Sequence, residues 1–126
     1  MDRQANINRS TGQQAEDAAL DYLLDQGLTL LQRNYRCKGG EIDLVMKEGQ
    51  TLVFVEVKHR SSERFGSPME AIGRSKQRRL IVAAKYYLQA HKQCRQLMCR
   101  FDVVTSSRKA GGSADIIWLP NAFVTG

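Results

Sequence analysis

A chain of 126 residues with 42% hydrophobic and 25% charged residues has a globular composition and is long enough to bury a core without disulfide or metal staples. Nineteen Lys and Arg against thirteen Asp and Glu give a formal net charge of +6, which favours polyanionic partners but equally fits a plain basic protein, because charge speaks to partners and not to fold. Three cysteines without a Cys-x-x-Cys pair argue against a disulfide framework or a zinc site, and no apolar run of signal-peptide or membrane-helix length occurs, so a cytoplasmic protein with reduced thiols and no membrane partner is expected.

Met1 to Arg9 is polar and carries no period. It reads as a flexible tail over residues 1–10, followed by a single domain over 11–126. Thr11 and Gln14 have the spacing of a capping box, with Thr11 as N-cap. Ala15, Ala18, Ala19, Tyr22 and Leu23 then follow helical spacing, and Gly27 stops the helix. Glu16 falls on the edge of the buried face, an unusual place for a carboxylate. Two readings stay open: a flank residue whose head reaches water, or a functional carboxylate. Leu28 to Tyr35 reads as a strand.

Gly39 to Arg60 reads as two strands joined by a tight turn at Lys47–Gln50. Side chains in a strand alternate with period two. Val53, Val55 and Val57 therefore share a core face, and Phe54, Glu56, Lys58 and Arg60 share the other. In the first strand Ile42 and Leu44 share a face, opposite Glu41, Asp43 and Val45. Packing the valine face with Ile42 and Leu44 brings Asp43 to the side that carries Glu56 and Lys58. Glu56 and Lys58 are then about 6.6 Å apart along the strand. Two carboxylates and a lysine so placed can hold Mg²⁺ or Mn²⁺ through oxygen ligands, polarise a phosphate and orient a water. A Glu-x-Lys step also arises by chance in about half of chains of this length and ordinary charge content. The competing reading is a structural Glu–Lys pair on a solvated sheet face.

Ser61 to Ser67 is a polar loop beyond the strand that carries Lys58, with Arg60 and Arg64 beside it. It is either a substrate-facing loop or an ordinary solvated one. Ser67-Pro68-Met69-Glu70 carries helix-start signals, but Gly73 leaves open a start near Ser75 instead. Leu80, Ala83, Ala84, Tyr87 and Leu88 have helical spacing. Lys76, Arg78, Arg79 and Lys85 form the basic part of that helix, and Lys76, one turn before Leu80, points towards the sheet. Leu97 to Thr105 is a strand in which Asp102 reads as structural, paired with an arginine. Gly111-Gly112-Ser113 turns into an edge strand, Asp115 to Leu119, ended by Pro120. The order helix, three strands, helix, two strands predicts an α/β domain. Its mixed central sheet is flanked by helices, with the long helix crossing over to a parallel strand.

Gly40-Glu41-Ile42-Asp43, thirteen positions before Glu56, together with Val55-Glu56-Val57-Lys58, resembles the PD-(D/E)XK nuclease pattern. From about Gly12 to Phe123 the chain resembles the YraN-like family of uncharacterised bacterial proteins, which are similar to archaeal Holliday junction resolvases. Asn34-Tyr35-Arg36, Lys76, Arg100-Phe101-Asp102-Val103-Val104 and Asn121-Ala122-Phe123 contribute to the likeness. No proline precedes Asp43, a departure from the superfamily pattern.

The resemblance implies a restriction-endonuclease-like fold and a Mg²⁺- or Mn²⁺-dependent endonuclease acting on DNA, with branched or damaged DNA as candidate substrates. Asp43 and Glu56 would bind the ion, helped by the Val57 carbonyl and by Glu16, since related resolvases carry an acidic residue on this first helix. Lys58 would position or activate water. Arg60, Lys76 and Arg78 are candidate phosphate contacts. A homodimer follows by analogy with resolvases, which cut two strands symmetrically. The alternative is a non-catalytic nucleic-acid-binding module that keeps the fold; a small basic scaffold is a third reading. Asp43, Glu56 and Lys58 together favour the enzyme, because a binding module has no need of all three.

Overall fold

Strands with apolar side chains on both faces must be covered on both sides, and that requirement organises this chain. The computed structural model describes residues 10–60, 72–108 and 112–123. Helix α1 (Thr11–Asp25) leads into strands β1 (Thr29–Cys37), β2 (Gly40–Glu48) and β3 (Thr51–His59). Helix α2 (Arg74–Ala90), a short 3₁₀ turn, β4 (Met98–Arg108) and β5 (Ala114–Phe123) follow. The five strands lie in the order β1-β2-β3-β4-β5. Only β3 and β4 run parallel; the other neighbours are antiparallel. This is the expected mixed α/β sheet flanked by two helices, compatible with a restriction-endonuclease-like fold.

Helix α1 covers one face, packing Ala19 and Leu23 against Leu44, Met46, Val53, Val55 and Val104. Helix α2 covers the other, packing Leu80, Ala83, Ala84 and Tyr87 against Ile42, Val45, Leu52, Phe54 and Phe101. The Phe54 face is therefore core as well, and a solvated charged face is corrected to a second buried layer. Phe54 and Leu44 are both fully buried, and each side chain of this size contributes about 1.5–3 kcal/mol on burial.

Ile42 and Leu44 do not share a face: Ile42 packs under α2 and Leu44 under α1. The alternation fails because pairing is irregular there. The β2–β3 ladder runs from Leu44 opposite Val55 to Glu48 opposite Thr51, and stops before Asp43. Across β1, Asn34 stands between the pairs Arg33–Leu44 and Tyr35–Ile42, with a left-handed φ of 53°, which Asn tolerates better than most residues.

The helix starts differ slightly from the sequence reading. Ser10, not Thr11, caps α1: its side chain accepts from the Gln13 N–H while the Gln13 side chain accepts from the Ser10 N–H. Gly27, at φ 101°, follows the end of α1. Helix α2 starts at Arg74, close to the Ser75 alternative. The tail residues 1–9, the Ser61–Ser67 loop with Arg64, the Ser67–Glu70 start signal and Gly111 lie outside the described residues.

Strand β5 does not end at Pro120. It continues to Phe123 through an irregularity between the pairs Val103–Leu119 and Phe101–Phe123. An edge strand tolerates proline at such a bulge because no ladder N–H is needed. Asp102 explains why the bulge holds. Fully buried, it accepts from Arg100 Nε (3.0 Å) and Nη2 (3.2 Å), Trp118 Nε1 (2.9 Å) and the Asn121 N–H (2.9 Å). The arginine-paired structural role read from sequence is what the structure displays. No helix among the described residues is long and apolar enough to cross a membrane.

Candidate functional site

Where the β2–β3 ladder stops, the strands leave a gap that side chains fill. Asp43 Oδ2 accepts the Val57 N–H at 2.8 Å, in place of a backbone ladder bond. Glu56 sits beside it, 3% exposed. Helix α2 delivers Lys76 to this point, with Nζ 3.2 Å from Glu56 Oε2 and 3.9 Å from Glu41 Oε2. Glu56 Oε1 is buried and receives no N–H donor from the described residues, while the Asp43 carboxyl lies within side-chain hydrogen-bond reach of the Glu56 carboxyl, so that a shared proton joins the two. From the other helix comes Glu16, whose Oε1 is 3.0 Å from Arg33 Nη2; the same nitrogen is 2.9 Å from Asp17. Glu16, Glu41, Asp43, Glu56 and Lys76 line a cleft of about 620 Å³ that also takes in Asn34, Arg36, Lys58 and His59.

The electrostatics follow from crowding two carboxylates in a poorly hydrated place. Burial, and then the charge of Asp43, push the Glu56 carboxyl up to about 8, with Lys76 pulling the other way. Burial also raises Asp43, against the stabilising Val57 N–H, and Glu16 raises it further. Like charges at close range cannot both ionise freely, so the pair holds a proton into the neutral range.

The site-residue expectations fall into place unevenly. Asp43, Glu56, Val57, Lys58, Lys76 and Glu16 all line the one cleft. Lys58 is exposed, whereas Lys76 lies between two carboxylates. Arg78 is exposed on α2 and does not line this cleft. Arg60 is buried and faces a different cavity. Glu41, Arg33 and Asn34 belong to the surroundings and were not singled out individually from sequence. Only Asn34 carried a usable signal, as a residue suited to left-handed backbone; the roles of Arg33 and Glu41 depend on partners from distant elements.

A divalent ion fits this chemistry in part. A buried carboxylate oxygen that receives no N–H donor, beside a second carboxylate, suits a hard cation. Among the described residues, however, no three His, Cys, Asp or Glu side chains gather as a metal-holding group. The cleft offers such an ion the neighbouring carboxylates Asp43 and Glu56, and Mg²⁺, which keeps several waters, is commonly bound through one or two carboxylates.

Residues 15–105 match the uncharacterised protein family UPF0102. The chain is 49% identical over 120 residues to a UPF0102 protein of Janthinobacterium sp. (strain Marseille), covering 95% of this chain and 92% of that one. It is 47% identical over 112 residues to one from Hahella chejuensis, covering 89% and 88%. A third, from Saccharophagus degradans, is 47% identical over 116 residues, covering 92% and 94%. Across the strands and helices that build the cleft, this chain is a member of the uncharacterised protein family UPF0102.

Proposed function

We propose that the chain is a Mg²⁺- or Mn²⁺-dependent endonuclease that hydrolyses phosphodiesters in DNA, with branched or damaged DNA as its substrate class. The observation that carries this reading is Glu56, a buried carboxylate with one oxygen that receives no N–H donor among the described residues, beside Asp43 in the same cleft. Such an arrangement costs folding free energy. Strongly perturbed acids in a cleft cluster at functional sites. The likeness of Gly40–Asp43 and Val55–Lys58 to the PD-(D/E)XK pattern supports the same reading.

Asp43, Glu56 and the Val57 carbonyl would hold the ion, with Glu16, which lines the same cleft, as a further ligand. When bound, a divalent ion polarises a phosphate oxygen and lowers the pKa of an attacking water. Lys58 forms no ion pair among the described residues; its ammonium would orient the water or offset charge growing on the phosphate. Lys76, 3.2 Å from Glu56 Oε2, offsets the charge of that carboxylate. Arg60 and Arg78 would contact phosphates away from the reacting one, positioning the strand without reading its sequence. A cytoplasmic homodimer, one active site per strand, completes the proposal.

Lys76 also favours a second reading. Its ammonium, 3.2 Å from Glu56, can stand where a cation would, leaving a nucleic-acid-binding module without turnover. Linear, nicked, flapped and four-way DNA, each with and without Mn²⁺, separate the two. The enzyme cuts at least one substrate only with Mn²⁺, and alanine at Asp43, Glu56 or Lys58 lowers the rate by orders of magnitude because the three act as a unit. Salt-sensitive binding without cleavage selects the module. Undiminished cleavage by Lys58→Ala would overturn the assigned roles.

A further inference from the structure

A second cavity, of about 660 Å³, adjoins the carboxylate cleft across His59, which lines both. Thr11, His59, Arg60, Ser106, Ser107 and Arg108 are among its walls. The cleft is lined by four carboxylates; this cavity, among the described residues, is lined by none. Its polar complement is guanidinium, imidazole, hydroxyl and the first turn of α1. That turn carries no acidic side chain to offset the positive end of the helix dipole. Arg108 is steadied over the cavity by a hydrogen bond to the Gln14 side chain.

Arg60 is the decisive residue. It is only 7% exposed, and its buried Nε has no hydrogen-bond partner among the described residues. None of those residues places a carboxylate within ion-pair distance of it. A buried guanidinium without a counter-charge is costly, and an entering anion removes that cost. Its backbone is pinned, because the Arg60 N–H donates to the Ser106 carbonyl at 2.7 Å, so the side chain starts from a fixed point.

We infer that this cavity is a second phosphate-binding site, taking a backbone phosphate of the same nucleic-acid strand whose reacting phosphate occupies the carboxylate cleft. The inference rests on the nuclease reading for the order of the two sites. Two features join them into one track. The first turn of α1 is shared out, with Ser10, Gly12 and Gln13 lining the cleft and Thr11 and Gln14 lining the cavity. Lys58, near the end of β3, and Arg60, just beyond it, are two residues apart, about 6.6 Å of extended backbone, so one strand can reach both. The site thus grips the strand near the bond to be cut, through its charge and not its bases.

The test follows the Arg60 Nε–H resonance by ¹⁵N NMR in the full chain, in EDTA so that nothing is cleaved. A single-stranded DNA tetranucleotide is expected to shift that resonance saturably, and inorganic phosphate to do so at least tenfold more weakly. Arg108→Gln should weaken the tetranucleotide response about tenfold, the scale of one charge-assisted hydrogen bond. Because the reporter is the native Arg60, the result does not depend on an Arg60 variant folding. An unmoved resonance overturns the inference, as does an Arg108→Gln response equal to the parent's. An equal response to inorganic phosphate also overturns it, by reducing the cavity to a small-anion site. Cleavage with Mn²⁺ but no Arg60 shift sinks the second site alone. An Arg60 shift with no cleavage of any substrate sinks the nuclease reading and leaves the strand-binding site standing.

Discussion

Neutral and ionised Glu56 make different demands on the fold. Its carboxyl is raised from 4.5 to about 8 in the folded chain. Between those values the native state holds a proton that the unfolded state has released, so stability must fall as pH rises. Below pH 4.5 both states are protonated and the effect is fully retained; above about 8 it is fully lost. The whole change is on the order of 3–5 kcal/mol at about 1.4 kcal/mol per unit. Asp43 is raised as well and adds in the same direction. Urea denaturation in metal-free buffer at pH 5, 7 and 9 should show the decline, and Glu56→Gln should remove most of it. Lys76 pulls the Glu56 pKa down, so Lys76→Met should carry the decline to higher pH. A parent whose stability is flat from pH 5 to 9 would mean that Glu56 is more hydrated than its burial implies.

At the scale of elements, the position of α2 against β2 decides whether Lys76 can reach Glu56. Gly40 permits that approach. A Cβ there would lie 2.2 Å from the Arg79 carbonyl oxygen and 3.0 Å from the Ala83 nitrogen. Both are backbone atoms, so helix and strand would have to separate. Gly40→Ala should cost about 3 kcal/mol or more as an overpacking change, read as a lowered urea midpoint. It should also weaken the Lys76–Glu56 contact, visible as a changed Glu56 titration. Asp102 ties β4 to β5 through Trp118 and Asn121 while pairing Arg100. Removing one partner of a buried ion pair costs about 3–5 kcal/mol. Asp102→Ala should therefore destabilise by that amount and alter Trp118 fluorescence in the folded state. If Asp102→Ala leaves the urea midpoint unmoved, the network does not hold the bulge. The cap of α1 was legible in sequence to within one residue, because a capping box is a local pattern. The end of β5 was misread at Pro120, because a bulge opposite Phe101–Val103 is fixed by the neighbouring strand.

For the molecule as a whole, the cleft should link folding to metal. An ion that binds the folded carboxylates and not the scattered ones of the unfolded chain stabilises by mass action, by about 2.7 kcal/mol at a hundred times its dissociation constant. Millimolar Mn²⁺ should therefore raise the melting temperature. Asp43→Asn keeps an acceptor for the Val57 N–H and removes the charge that raises Glu56. It should leave the metal-free protein equally or more stable and abolish the metal-induced rise. An undiminished rise in that variant would place the ion elsewhere. A parent that responds only when short duplex DNA is also present would show that a phosphate completes the donor set.

The sequence by itself determined the element types and the mixed sheet with one parallel pair, because hydrophobic period and turn residues are local; it brought Asp43 to Glu56 and Lys58 through a shared Ile42–Leu44 face that the fold does not have. It also marked Lys76 as facing the sheet, one helical turn before Leu80. Only the tertiary structure decided that the Phe54 face is covered by α2, that Ile42 and Leu44 part company at Asp43, and that Lys76 balances Glu56 while Arg33 takes Glu16. It alone turned Arg60 away from the cleft into a cavity of its own. Those outcomes depend on where strand pairing lapses and on which helix covers which face. Such contacts join residues many positions apart, and no period of two or 3.6 residues can carry them.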